Sequence, residues 1–191
     1  MQFKTRRCST CRKKCDTSQA ITSHLKAFCS YECLKSYMQT EAAKKTISAA
    51  KARDLSQRKE KLKTRSEWMS EAQSAFNAYI RVRDGNNCIS CGTNSHDRIG
   101  GGVDAGHYRS RGAAGHLRFN LLNCHSQCKK CNRYLSGNVA DYRIGLVNKI
   151  GVQLVEKLEH DNSQRSFDIE YIKRVKAIFS KRARLYKRLF R

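Results

Sequence analysis

The sequence predicts an α+β chain that is mostly helical and is stapled by bound metal in place of a large apolar core. Three observations carry this. Only 39% of the 191 residues are apolar, which is too few for one sizeable core. The ten cysteines include four close pairs, and small domains with thin cores need such staples. Long stretches with helical spacing flank one short stretch of strand character.

The charge sets the class of partner. The chain has 39 Lys+Arg against 16 Asp+Glu, a net charge of +23, and a field of that sign attracts polyanions. The basic stretches lack the bulky apolar stripe of an interfacial helix, so nucleic acid is expected and a membrane is not. The N-terminus MQFKTRRCSTCRKKC is basic without an apolar segment, so no secretory signal is expected. No run approaches the ~18 apolar residues of a membrane span. A cytoplasmic protein is therefore expected, in which paired cysteines are metal ligands and not disulfides.

Residues 1–36 form the first expected module. Cys8 and Cys11 are separated by seventeen residues from Cys29 and Cys33, a spacing that suits one tetrahedral Zn²⁺. The run FCSYEC opens a short helix that presents its last cysteine. Cys15 is left over, either as a half-buried thiol or as a replacement for Cys11. Residues 37–65 read as a basic helical linker, part of a helical stretch from Leu34 to about Arg65 with no Gly or Pro. It serves as a solvated spacer or tracks phosphates.

A better amphipathic helix starts at Ser66, with Trp68, Ala72, Ala75, Tyr79 and Val82 on one face. Asp84 to Asn87 end it. Residues 66–138 form the expected central unit and residues 139–191 a C-terminal helical basic region. In the latter, Tyr142, Leu146, Ile150, Leu154 and Leu158 mark a helical segment bent at Gly151. A last helix follows the loop 161–167. Its basic face includes Lys173, Lys176, Lys181, Arg182, Arg184 and Arg191, with no acid within residues 173–191. Such a helix suits phosphate contact.

The chemistry concentrates in residues 88–136. Cys88-x2-Cys91 pairs with Cys128-x2-Cys131 to make a second four-thiolate zinc site, closing a loop of 36 residues. All four positions are filled by protein, so this zinc is structural. Between the pairs, Val103 to Tyr108 reads as a strand with His107 near its end. LRFNLL reads as a second strand, then comes Asn123, and a helix begins near Cys128. His125 is expected to hydrogen bond, although contact with phosphate or metal stays open. Cys124 is a small core residue, and His96 and His116 are loop residues.

The order C-x2-C, His at a strand end, Asn, then C-x2-C-Asn resembles the zinc-containing HNH nucleases with their ββα-metal fold. That resemblance makes His107 the general base, Asn123 the positioning residue and Asn132 a ligand of a catalytic Mg²⁺ or Mn²⁺. An imidazole suits proton abstraction near neutral pH, and an amide oxygen suits a hard cation. Many HNH nucleases have an acidic or histidine ligand just before the base, but here that slot is Gly106. Asp104, three residues before His107, reaches the metal only if Gly106 marks a kink or bulge. Arg109, Arg111 and Arg118 flank the base, and with Lys129, Lys130 and Arg133 they are expected to hold DNA phosphates, as are Lys181, Arg182 and Arg184.

A narrower resemblance covers residues 66–160. The segments FNAYIRVRD, CISCG, DAGHYRSR, LRFNLLNCHSQCKKCN and SGNVADYR are similar to the lambdoid-phage NinG/Rap recombination endonucleases. It implies an endonuclease for branched DNA such as D-loops and Holliday junctions. It also implies work beside other recombination proteins at the nucleoid of an infected bacterium. Resolving a junction takes two nicks, by a homodimer or by two sequential events. Two other readings stay open: a non-catalytic zinc protein that binds and shapes DNA, and an HNH nuclease with another substrate.

Overall fold

The computed structural model describes residues 5–23, 25–95 and 102–189; His96 and Arg191 lie outside them. The chain divides into two compact units, Met1–Lys63 and Thr64–Arg191. It is α+β and mostly helical. No helix among the described residues is long and apolar enough to cross a membrane.

The first unit has two antiparallel hairpins, β1 (Thr5–Arg7) with β2 (Lys14–Asp16) and β3 (Ile21–Ser23) with β4 (Lys26–Phe28). Two helices follow, α1 (Tyr31–Met38) and α2 (Glu41–Leu62). Strands of three residues bury little: only Cys8, Ala27, Phe28 and Ala43 are enclosed among the described apolar residues of this unit. The Ser30 hydroxyl accepts from the Cys33 amide at 3.3 Å and caps α1, which puts Cys33 on its first turn. The expected single helical stretch is in fact two helices. Thr40 is extended and accepts the Ala43 amide, so it ends one helix and caps the next. Helix α2 buries only Ala43.

The second unit begins with α3 (Arg65–Asp84). The helix starts one residue before the expected Ser66 and is capped by Thr64, because the capping box needs an acid three residues on. Glu67 supplies it, returning a 2.7 Å bond to the Thr64 amide. Helix α3 packs on α6 (Ile169–Leu189) through Trp68, Phe76 and Ile80 against Ile172, Val175 and Phe179. The Phe76 and Phe179 rings meet edge to face, centroids 4.9 Å apart. This core joins residues on both sides of position 138, so the C-terminal helices belong to the same unit as the central stretch.

Strands β5 (Val103–His107) and β6 (Cys124–Cys128) form an antiparallel hairpin with regular register, Val103 opposite Cys128 and His107 opposite Cys124. The expected strand at LRFNLL is absent. Leu117 enters one core cluster and Phe119 the other, so the chain bends between them. Asn120 closes that bend by accepting the Leu122 amide at 2.8 Å. After β6 the helix expected from Cys128 is only a π-helical turn, Lys130–Tyr134. The Cys131 amide points instead at the Cys128 sulfur, 3.5 Å away.

Helices α4 (Val139–Ile150) and α5 (Val152–His160) are separated at Gly151, whose φ of 86° suits glycine. The break resets the helical phase. Val155 therefore faces inward, and Leu154, expected on the apolar stripe, is 40% exposed.

Candidate active site and metal centres

Two cysteine quartets come together as the spacing implied: Cys8, Cys11, Cys29 and Cys33, and Cys88, Cys91, Cys128 and Cys131. Within each, the sulfurs lie within 4.8 Å of one another. A tetrahedral zinc with Zn–S near 2.3 Å requires S···S edges of ~3.8 Å. The Cys11–Cys29, Cys29–Cys33 and Cys91–Cys128 separations are 3.5, 3.6 and 3.8 Å, so the donor sets fit zinc. Cys15 stands outside, its thiol donating to the Arg6 carbonyl.

Within each quartet, hydrogen bonds and neighbouring thiols move the sulfurs to both sides of the ordinary thiol range. Burial opposes ionisation of Cys8, but the amides of Cys11, Cys29 and Thr10 pull it down to about 6. The neighbouring Cys11 and Cys33 thiols push Cys29 up to about 12. In the second quartet burial again opposes, yet the Thr93 hydroxyl and amide bring Cys91 to about 6. Burial and the other thiols, against the Asn138 amide, push Cys131 to about 12. A dication would ionise all four sulfurs together.

Beside the second quartet, the hairpin and the π-turn enclose a cleft of about 380 Å³. His107, Asp104 and Asn132 all line it, as do Arg81, Arg111 and Arg133. The His107 Nε2 lies 2.9 Å from the Arg118 carbonyl. A carbonyl only accepts, so Nε2 carries the proton and Nδ1 keeps its lone pair, which lies 3.7 Å from the sulfur of the buried Cys124 thiol. Burial lowers the His107 pKa against the pull of that carbonyl, and the Arg111 and Arg118 guanidiniums lower it further. The neutral ring is therefore favoured.

Asn123 is fully buried. Its Oδ1 accepts from the Arg109 amide at 2.9 Å and its Nδ2 donates to the Arg109 carbonyl at 3.0 Å. Its own carbonyl accepts from the Tyr108 amide at 2.8 Å. The side chain thus locks Arg109 and the main-chain carbonyl locks Tyr108, the two residues after His107.

Asp104 reaches the cleft without any bulge at Gly106, because the cleft gathers groups from both faces of the hairpin. Its carboxylate accepts from Asn132 Nδ2 at 3.0 Å and, in fork geometry, from Arg133 at 2.7 and 2.9 Å. These bonds hold its pKa below the usual carboxylate range. Asn132 turns its amide nitrogen to Asp104, so both carboxylate oxygens are met by N–H donors of Asn132 and Arg133. Gly106 has a different duty from the ligand slot it occupies: a Cβ there would stand 2.2 Å from Gln127 Oε1.

Several basic residues are not free to hold phosphate. Arg109 donates to the Leu158 carbonyl at 2.9 Å, to the Asp161 carbonyl and to Asn162 Oδ1 at 3.1 Å, so it ties the loop to the end of α5. Arg133 is engaged by Asp104, and Lys176 pairs with Glu71 of α3 at 2.8 Å. Arg111 and Lys130 are exposed and Lys129 is half-buried. Lys181, Arg182 and Arg184 are exposed on α6, outside the lining of the cleft. His116 bonds the Asp161 carbonyl.

No local pattern foretells the buried ion network behind the hairpin. Asp84 meets Arg83 at 2.7 Å, Lys149 at 3.0 Å, His125 Nδ1 at 3.1 Å and the Ser126 amide at 3.1 Å. Arg83 also donates to the Leu121 and Cys124 carbonyls. His125 is therefore structural, its Nε2 bonding the Leu122 carbonyl. Asn77 and Arg81, one turn apart on α3, line the cleft without having been expected there; their i,i+4 spacing is the only local signal.

A family model described as Bacteriophage Lambda NinG protein matches residues 1–188. The chain belongs to the NinG family. Among its NinG relatives, the protein of Escherichia phage lambda is 44% identical over 126 residues, which is 65% of this chain and 60% of the relative. That of Salmonella phage P22 is 43% identical over 126 residues, again 65% and 60%. That of Enterobacteria phage H19B is 45% identical over 121 residues, 63% and 58%. The matches thus span about 60% of the length of these NinG relatives. No solved structure matches the chain.

Proposed function

We propose that this NinG-family chain is a metal-dependent endonuclease of HNH type that nicks branched DNA such as D-loops and Holliday junctions. The observation that carries the reading is His107, a neutral imidazole with Nε2 fixed on the Arg118 carbonyl, in one cleft with Asp104 and Asn132. In hydrolysis, the neutral His107 ring takes a proton from water, the water oxygen bonds to phosphorus, the P–O3′ bond breaks, and the leaving 3′-oxygen takes up a proton from solvent. Asn123 keeps the residues after His107 from drifting, which is how an aligned base retains its advantage. Asp104 and Asn132 would hold Mg²⁺ or Mn²⁺, which when bound neutralises charge on the phosphate and the leaving oxygen. Arg81 and Arg111 suit the flanking backbone.

Branch preference and the place in recombination come from the family resemblance, and the +23 charge supports a DNA partner in general. A second reading, a non-catalytic zinc-stapled DNA-binding protein, is favoured by the full engagement of Asp104 by Arg133. The test compares a four-way junction with a linear duplex of the same sequence in Mg²⁺. Nicking of the junction alone supports the first reading. Equal cleavage of both substrates indicates a nuclease with another target, and no cleavage in any divalent cation supports the second.

A further inference from the structure

A second basic cleft, of about 310 Å³, is lined by the Arg118 side chain. Arg65, Arg118 and Arg165 line it over an apolar floor of Met69 and Phe167. None of the three forms an ion pair among the described residues. Arg65 Nε donates to the Phe167 carbonyl at 3.1 Å, and Arg118 donates to Gln73 Oε1 at 3.4 Å. The Arg165 guanidinium lies 4.7 Å from the centre of the Tyr171 ring and 5.2 Å from that of Phe167. Crowding of like charges is visible at Arg118, where burial, Arg111 and Arg65 all lower the pKa. An anion between these cations would relieve that cost.

Arg165 also lines an adjoining cleft of about 270 Å³ walled by Phe119, Tyr171, His116 and Asn120, and by Asp161, whose carboxylate lies 3.4 Å from His116 Nε2. One cleft is therefore cationic, and its neighbour combines aromatic walls with polar side chains. They share a guanidinium that lies over an aromatic pair stacked at 12°. That combination suits a nucleotide, with the phosphodiester among cations and the base beside aromatic rings. A base inside a duplex is stacked on its neighbours and cannot enter such a cleft, whereas an unpaired one can. Arg118 joins the clefts to the candidate active site, because its carbonyl holds His107 while its side chain lines the cationic cleft.

We propose that these two clefts form a subsite for an unpaired nucleotide of single-stranded DNA, the phosphodiester among Arg65, Arg118 and Arg165 and the base beside Tyr171. The subsite deepens the nuclease reading and rests on it for its role, which is to hold a strand that leaves the duplex at a branch. It would let the protein sense an unpaired nucleotide close to where His107 acts.

The test measures fluorescence anisotropy of a labelled single strand and a blunt duplex, both in a His107→Ala background. Arg65→Gln/Arg165→Gln is expected to weaken single-strand binding about tenfold and to flatten its log–log salt slope by ~0.7 for each phosphate no longer neutralised. Duplex affinity should change less than twofold. Arg65→Lys/Arg165→Lys keeps the charge and should recover most of the binding, and thermal unfolding of both variants checks that the fold persists. Unchanged single-strand affinity in the Gln variant overturns the proposal, and so does equal loss on both DNAs. The readout is binding without cleavage, so this result stands apart from the nuclease reading, which fails separately if wild type nicks no DNA.

Discussion

Asn123 holds Arg109 as a neighbouring strand would, accepting its amide at 2.9 Å and donating to its carbonyl at 3.0 Å. The bonds cross fourteen positions of sequence and close the loop that follows His107. Asn123→Asp keeps the acceptor and replaces the amide donor by a carboxylate facing carbonyl oxygens. We predict a loss of about 1–3 kcal/mol in unfolding free energy and a fall in kcat for nicking larger than any change in KM. Wild-type kinetics in the variant would show that this clamp does not position the base.

The pH dependence follows from His107. Burial and the nearby arginines favour the neutral ring, so the pKa lies below the ordinary value of ~6.5. A depressed histidine contributes stability above its unfolded pKa and loses it as pH falls through the folded one. In the proposed reaction the neutral form is also the base, so nicking should be level above about 6.5 and decline on the acid side. Arg111→Gln removes a cation that disfavours the imidazolium, and the acidic limb should move to higher pH. A limb that stays in place in that variant would sever the link between His107 and the rate.

Metal content tests the two quartets. We predict two zinc ions per chain by elemental analysis, and one in Cys131→Ser. Loss of the second zinc frees the knuckle at Cys88 from β6, where the Ile89 amide bonds the Ser126 carbonyl at 2.9 Å. A clear drop in melting temperature should accompany it. Full zinc content in Cys131→Ser would remove that residue from the ligand set.

Asp84 anchors the hairpin to α3. Burial opposes its ionisation, but His125 and Arg83 hold its pKa far below the carboxylate range. Its contribution is fully present above an unfolded pKa of ~3.9 and fades only as pH falls toward the folded value. Asp84→Asn leaves Arg83 and Lys149 without their counter-ion, and the expected cost at pH 7 is about 3–5 kcal/mol in urea unfolding. A change under about 1 kcal/mol would mean that the network is largely solvated.

What could be read in the sequence depended on local spacing. Two C-x2-C pairs and the apolar stripe of α3 report relations within a turn or a strand, and the cysteine quartets close in space as that spacing implied. The run LRFNLL misled because Leu117 and Phe119 serve two separate cores, which alternation cannot distinguish from one sheet face. Arg109 looked like a phosphate clamp, yet its partners lie about fifty positions away at the end of α5. Asp84 looked like turn chemistry, yet it pairs with Ser126, forty-two positions on. Such commitments are set by tertiary packing and leave no periodic trace.

The most direct measurement is single-turnover nicking of a labelled four-way junction in Mg²⁺ by wild type and by His107→Ala, with junction affinity measured beside it. Removing a general base costs ~10²–10⁴ in rate, so we predict at least a hundredfold slower nicking with affinity unchanged within about twofold. Nicking by His107→Ala at the wild-type rate would contradict the account.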